Sequence, residues 1–398
     1  MPSIPVQLPY EQPDRMRPSP LLRELQARSP IHAIRTAVGD PGWHVTGYEH
    51  VRRLLDDDRL GRAHREPEKA SRTGESALFG GPMGDIDTEQ ADHRRMRSLL
   101  QPHFSPKRMR ALAGRVETLA TQLLNELAAA GPPADLHAAL ALPLPIAVIC
   151  ELLGVPYEDR AQFRAWTQAA ADITDRARSE QGLAELFSYG RRLVARKRAD
   201  GRLGDAPDAD VISRLAATEG VSDDEAAAMG MLLLFAGHET TVTAISLGAL
   251  WLLATPGQWP ALVADPSRTD AAVEEILRAP GLGGGGIPRY AREDLEVAGV
   301  HVREGDLVLL DTGAANHDAS VFADPDRFDL DRPAAPHLTF GHGARYCIGA
   351  PLARIELKAV FSQLAARFPA LKLGCAVEEL IFNPHVLTGG LTALPVTW

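Results

Sequence analysis

The sequence predicts a mainly α-helical protein with a minor β portion, on three observations. Apolar residues recur at three- and four-residue spacing through 94–130, 143–153, 159–199 and 208–218, the period of helices with one buried face. One helical pattern runs from Ser222 to about Ala254, roughly 32 residues or about 48 Å, unusually long for a globular helix. The strand-like runs, "LEVAGVHV" and "DLVLLDTG", are short and lie close together.

The elements follow in order. After a Pro-rich start, 1–20, the stretch "WHVTGYEHVRRLL" (43–55) reads as a short strand entering a helix. Residues 61–92 are irregular and rich in Gly, Glu and Arg, the composition of a long functional loop. From Asp92 the text is helical, punctuated by GPP, GVP and DAP. Ser222 and Glu225 form a capping box that opens the long helix. A helix over 269–279 ends at "APGLGGGG", and a Pro- and Asp-rich meander follows the two strand-like runs to residue 337. The last helix is expected to begin at Cys347, with Leu357, Phe361, Leu364 and Phe368 on one face. No repeat or linker interrupts the chain, so residues 1–398 are expected to form one domain, although length alone would suggest two or three.

Composition excludes several classes. With 45% apolar and 24% charged residues the chain reads as an ordinary soluble globular protein. A net charge of −10 argues against nucleic-acid or anionic-membrane partners. Three cysteines form no CxxC pair and no even framework, which points to a reducing compartment. The N-terminus lacks a basic-then-apolar signal pattern, and "AAAMGMLLLFAG" is too short to span a bilayer. A cytoplasmic location is expected.

One cysteine stands apart. Cys150, in "LPIAVICELLGVP", reads as a small buried hydrophobe, and Cys375 has no notable context. Cys347 sits before a helix in "TFGHGARYCIGA", where amides, the helix dipole and Arg345 would favour a thiolate. Such a thiolate suits a nucleophile or an iron ligand, and the residues alone leave both open.

The pattern F-G-x-G-x-[HR]-x-C-x-G resembles the haem-binding loop of the cytochrome P-450 family. Phe340, Gly341, Gly343, Arg345, Cys347 and Gly349 match its fixed positions. Three further segments stand in the family's order: His93-x-x-x-Arg97, "AGHETT" at 236–241, and Glu275-x-x-Arg278. The resemblance runs from about residue 14 to "GLTALPVTW". It implies a triangular helical prism with small β-sheets and a haem b cofactor with Cys347 as the axial thiolate of its iron. His93, Arg97, Arg289 and Arg345 are implied to meet the haem propionates, Arg being suited to carboxylates by its bidentate fork. Glu275 and Arg278 are implied to form a buried structural ion pair whose third member is Arg327, Arg332 or His342. On the long helix, Ala236 and Gly237 are implied to keep a groove open above the haem, while Thr240 and Glu239 hydrogen-bond and deliver protons to oxygen. Phe340 is implied to pack beside the thiolate, and Phe235, Ala236, Gly285 and Leu387 to line the substrate pocket.

The implied activity is a monooxygenase that inserts one atom of O2 into a C–H bond or double bond. Its electrons come from NAD(P)H through a separate ferredoxin and ferredoxin reductase, and Arg94, Arg95, Lys107 and Arg108 are candidates for docking the ferredoxin. A bulky secondary metabolite such as a polyketide or peptide is the expected substrate, and a monomer the expected state. A non-catalytic haem sensor or recruitment module is the rival from another class, against which the intact Glu239–Thr240 pair argues; a peroxide-driven peroxygenase is a third reading. Two departures concern loop shape: "QAD" stands where Pro-Pro-Glu is usual, and Arg94 where threonine is common. The run Gly283–Gly286 is unusual where the family sends side chains into the pocket, so the pocket is expected to be wide there.

Overall fold

A computed structural model describes residues 5–201, 203–204, 209–279, 285–333, 336–385 and 387–398. The chain divides into two compact units.

The first unit comprises Met1–Arg94, Thr255–Gln258 and Ser267–Cys347. Its centre is a six-stranded sheet in the order Val6–Gln7, Ile31–Arg35, Pro41–Val45, Leu307–Leu310, Ile287–Ala291, Leu60–Gly61. The run "LVLL" is buried at every position because this strand is internal and covered on both faces. Alternation sends Val308 and Leu310 into one apolar cluster with Val45, Val51 and Leu54, and Leu307 and Leu309 into another with Leu22, Ile34 and Tyr290. "LEVAGVHV" folds as the hairpin Leu295–Val297 with Val300–Val302. Pairing of Arg289 with Val308 plants that arginine on a rigid strand.

The second unit comprises Arg95–Ala254, Trp259–Pro266 and Ile348–Trp398 and is mostly helical, with one three-stranded sheet. The long helix runs from Asp223 to Ala254, and its capping box is formed. The Ser222 amide donates to Glu225 Oε2 at 3.0 Å, and the Glu225 amide to Ser222 Oγ at 3.2 Å. This helix packs against Pro143–Leu153, Arg176–Ala199, Val211–Ala217 and Ala350–Arg367, so it is apolar nearly all round, as a central helix must be. It is long and apolar enough to cross a membrane, but 56% of its most apolar window is buried inside the protein.

Several boundaries differ from the sequence reading. The pattern over 94–130 is two helices, Glu89–Leu100 and Pro106–Ala130, since Pro102 and Pro106 cannot donate the amides a continuous helix needs. The pattern over 159–199 breaks at 171–175, where Asp172 Oδ1 accepts the amides of Thr174 at 2.8 Å and Asp175 at 3.0 Å. The last helix begins at Ala350 rather than Cys347, because Gly341 and Gly343 take positive φ and residues 343–345 form a separate 3-10 turn.

Candidate functional site

In the first unit, the loop 339–347 is held from its start. The Leu338 amide donates to Asn316 Oδ1 at 2.7 Å, and Thr339 Oγ1 donates to the Leu277 carbonyl at 2.7 Å. The Cys347 amide closes the loop on the Phe340 carbonyl at 2.8 Å. Gly343 has φ +66°, and a Cβ there would collide with the Asp56 carboxylate, which accepts the Ala344 amide at 3.0 Å. The glycine is required by both conformation and space. The loop leaves the Cys347 side chain exposed, whereas Cys150 is fully buried and its thiol is pushed up to about 12 by burial. Phe340 is half-buried, its ring centroid 6.1 Å from that of Tyr346.

Beside this loop lies a concentration of positive charge. Arg289 is 8% exposed, and its Nη1 donates to the Pro288 carbonyl at 2.9 Å. Burial, and then the like charges of Arg345 and Arg62, pull its guanidinium down to about 9, so it stays cationic at neutral pH. Arg345 Nη2 donates to Glu89 Oε1 at 3.0 Å, and Arg292 Nη1 approaches Glu89 Oε2 at 3.4 Å. Two guanidiniums thus contact one buried carboxylate, and the charges of Arg62 and Arg289 are also felt there. That imbalance favours an anionic ligand.

Glu275 and Arg278 form the expected buried pair, with Nε–Oε2 at 2.7 Å and Nη2–Oε1 at 2.8 Å. Of the three candidates for the third member, Arg332 is the one present: its Nε donates to both Glu275 oxygens at 3.2 Å. Arg327 contributes its carbonyl, which accepts from Arg278 and Arg332, and His342 lines a surface groove with His50, Arg53 and Asp56. The Arg278 guanidinium also reaches the carbonyls of Asn316 and Pro325, both at 2.9 Å. The pair thereby ties its helix to the meander before the cysteine loop.

In the second unit, the long helix carries an exposed stripe at Leu232, Ala236 and Thr240, spaced four apart on an otherwise buried element. Thr240 Oγ1 donates to the Ala236 carbonyl at 2.8 Å, and Thr241 Oγ1 to the Gly237 carbonyl at 3.2 Å. A Cβ on Gly237 would meet Ile149 Cδ1 at 3.1 Å, so this glycine admits the helix Pro143–Leu153. Phe235 is buried. Glu239 is held above the usual carboxylate range by burial, partly offset by Arg164. His238 is fully buried, its Nδ1 3.3 Å from Thr167 Oγ1 and 3.5 Å from Glu239 Oε1. Burial, then Arg164, lowers it to about 4, so it is neutral at pH 7.

Other expected positions are more dispersed. His93 and Arg97 are one turn apart on Glu89–Leu100 and both half-exposed. Arg95, a candidate docking cation, is engaged by Glu225 at 3.2 Å and by the Gly220 carbonyl at 2.6 Å. Gly349 precedes the last helix, and its carbonyl accepts the Ala353 amide at 3.0 Å. Leu387 is exposed, with its amide on the Ala171 carbonyl at 3.0 Å. Gly283 and Gly284 lie outside the described residues. Gly286 has φ +72°, and a Cβ there would meet the Leu310 carbonyl carbon at 2.8 Å, whereas a Cβ on Gly285 meets nothing within 4 Å.

The profile of the cytochrome P-450 family matches residues 267–383. The chain is 42% identical to pentalenolactone synthase of Streptomyces exfoliatus, covering 98% of each protein. The chain belongs to the cytochrome P-450 family. This P-450 is also 37% identical to the mycinamicin IV hydroxylase/epoxidase of Micromonospora griseorubida, covering 94% of each. Its fold matches the crystal structure of PimD, a polyene macrolide antibiotic pimaricin epoxidase, with a TM-score of 0.86, 39% identity and 99% of each chain covered. It is therefore a haem-thiolate monooxygenase that uses O2, redox partners and a small-molecule substrate.

The residues of this P-450 fit haem. The excess of arginines around the buried Arg289 suits two carboxylates, and an exposed cysteine on an amide-rich loop suits a thiolate ligand. Arg62, Glu89 and Arg292 were not legible in the sequence. Glu89 carries a helix-start signal at most, and nothing local marks Arg62 as half-buried. His238 lay inside the quoted "AGHETT", but its burial depends on Thr167, 71 positions away.

Proposed function

We propose that this P-450 hydroxylates or epoxidises a bulky secondary metabolite, with Cys347 as the residue that would hold the haem iron through its thiolate. The observation that carries the site is the excess of arginines around the buried Arg289, next to the glycine-framed cysteine loop. Arg289 and Arg345, with His93 and Arg97, neutralise the propionates, and Phe340, Gly341 and Gly349 shape the loop. Bound haem supplies the redox iron at which O2 is reduced and cleaved. The chain's own residues manage protons and water. Glu239, raised by burial, holds a proton closer to neutral pH than a solvated carboxyl does, which suits an internal donor. Thr240, on the exposed stripe, donates to the Ala236 carbonyl and keeps its lone pairs available to accept from an incoming proton carrier. His238 is a neutral neighbour that adds no competing positive charge at pH 7.

Electrons are proposed to come from NAD(P)H through a ferredoxin reductase and a ferredoxin to a cytoplasmic monomer. Pentalenolactone synthase, the mycinamicin IV hydroxylase/epoxidase and PimD are named for pentalenolactone, mycinamicin and a polyene macrolide antibiotic, which supports a bulky substrate. The test is turnover with surrogate ferredoxin and reductase against a panel of macrolides and other lactones. A panel member should shift the iron spin state and yield a product heavier by one oxygen. Thr240→Ala should keep that shift but divert electrons to hydrogen peroxide, and Glu239→Gln should slow O2 consumption. Unchanged product-to-NADPH coupling in both variants would contradict the assigned roles.

A further inference from the structure

Glu89 belongs to none of the segments that carry the family resemblance, yet its carboxylate gathers four residues. Its Oε1 accepts the Arg62 amide at 2.7 Å and Arg345 Nη2 at 3.0 Å. Its Oε2 accepts the Ala63 amide at 3.0 Å and lies 3.4 Å from Arg292 Nη1. The side chain is 7% exposed, and a Cβ on Gly61 would meet Oε2 at 2.5 Å, so the carboxylate is packed into place. One oxygen set therefore joins the strand Leu60–Gly61, the end of the strand Ile287–Ala291 and the cysteine loop.

Two of these partners reach onward into the irregular segment 71–88. Arg62 Nη2 donates to the Leu78 carbonyl at 2.7 Å, with its guanidinium 5.0 Å from the centre of the Phe79 ring. Arg292 Nη2 donates to the Ile86 carbonyl at 2.5 Å. Arg62 is half-buried and feels both the attraction of Glu89 and the repulsion of Arg345. A change of charge at the arginine cluster thus acts on the same two side chains that hold the loop.

We infer that Glu89 is a positioning residue that sets the charge balance of the propionate-binding arginines and, through Arg62 and Arg292, fastens the loop 71–88 to them. The inference rests on the reading that Arg289 and Arg345 meet haem carboxylates. That reading is tested separately: the Arg289→Gln/Arg345→Gln double variant should lose haem readily, and normal haem retention would overturn it without touching the link from Glu89 to the loop.

The experiment compares the holoprotein with Glu89→Gln and Arg62→Met by tryptic cleavage at Arg72 and by midpoint potential. Both variants should accelerate cleavage by about tenfold: Arg62→Met removes the bond to the Leu78 carbonyl, and Glu89→Gln weakens the charge-assisted hold on Arg292, which carries the bond to the Ile86 carbonyl. The potentials should move in opposite directions. Loss of the Glu89 negative charge disfavours the more positive ferric state and raises the potential, while loss of the Arg62 charge lowers it. Loosened structure alone would move both variants the same way, which would overturn the proposal, as would unchanged cleavage. If Glu89→Gln purifies without haem, cleavage of its apoprotein against the parental apoprotein decides the loop link by the same criterion.

Discussion

Glu275 is 4% exposed and receives Arg278, Arg332 and the Asp329 amide, the last at 3.0 Å. Removing it strands two guanidiniums, one of them 3% exposed. Glu275→Ala should therefore cost about 3–5 kcal/mol, read as a lower urea midpoint. Arg332→Ala should cost less, because the Glu275–Arg278 pair survives. A loss of less than about 1 kcal/mol for Glu275→Ala, the scale of an exposed pair, would refute the network's structural role. The glycines at 285 and 286 separate just as sharply. Gly286→Ala should destabilise by about 1–2 kcal/mol, since it combines positive φ with a backbone collision. Gly285→Phe should fold with full haem content and weaken a bulky substrate's spectral binding while sparing small ligands. Equal affinity of the bulky substrate for parent and variant would mean that Gly285 does not border the pocket.

The helix Ala350–Arg367 has its own internal signature in Glu356, 2% exposed and fully buried, whose carboxyl is pushed up to about 8 by burial. The folded state keeps a proton that the unfolded chain releases above about pH 4.5. Stability is thus greatest at low pH with respect to this group and falls as pH rises towards 8, by on the order of 4 kcal/mol in all. Glu356→Gln should abolish that decline, so its Tm advantage over the parent should grow between pH 5.5 and 8. Parallel pH profiles would show that the group is ionised and solvated. Helix periodicity never marked Glu356, because burial of one polar residue on an apolar face is a tertiary fact. The same limit explains the boundaries: the capping box at Ser222 was readable because its partners are three residues apart, but the break at 171–175 depends on Asp172 turning back on its own chain.

Across the molecule, what was legible is what is local or strongly patterned. The long helix, the short strands and the Cys347 motif each lie within one stretch of sequence. The buried charges were only half legible: Arg289 and Arg345 follow from the motif order, but Glu89, Arg62 and Arg292 meet through a sheet that joins residues 60 and 291. Arg332 could not be chosen over Arg327 and His342 from sequence, since all three lie on irregular chain where no period places a side chain. The central claim, that Cys347 holds the iron as a thiolate, is tested most directly by the reduced carbon monoxide difference spectrum. The parent and Cys150→Ala should both show the long-wavelength thiolate band. Cys347→Ser should lose it while its far-ultraviolet circular dichroism is unchanged. A thiolate band retained in Cys347→Ser would contradict the account.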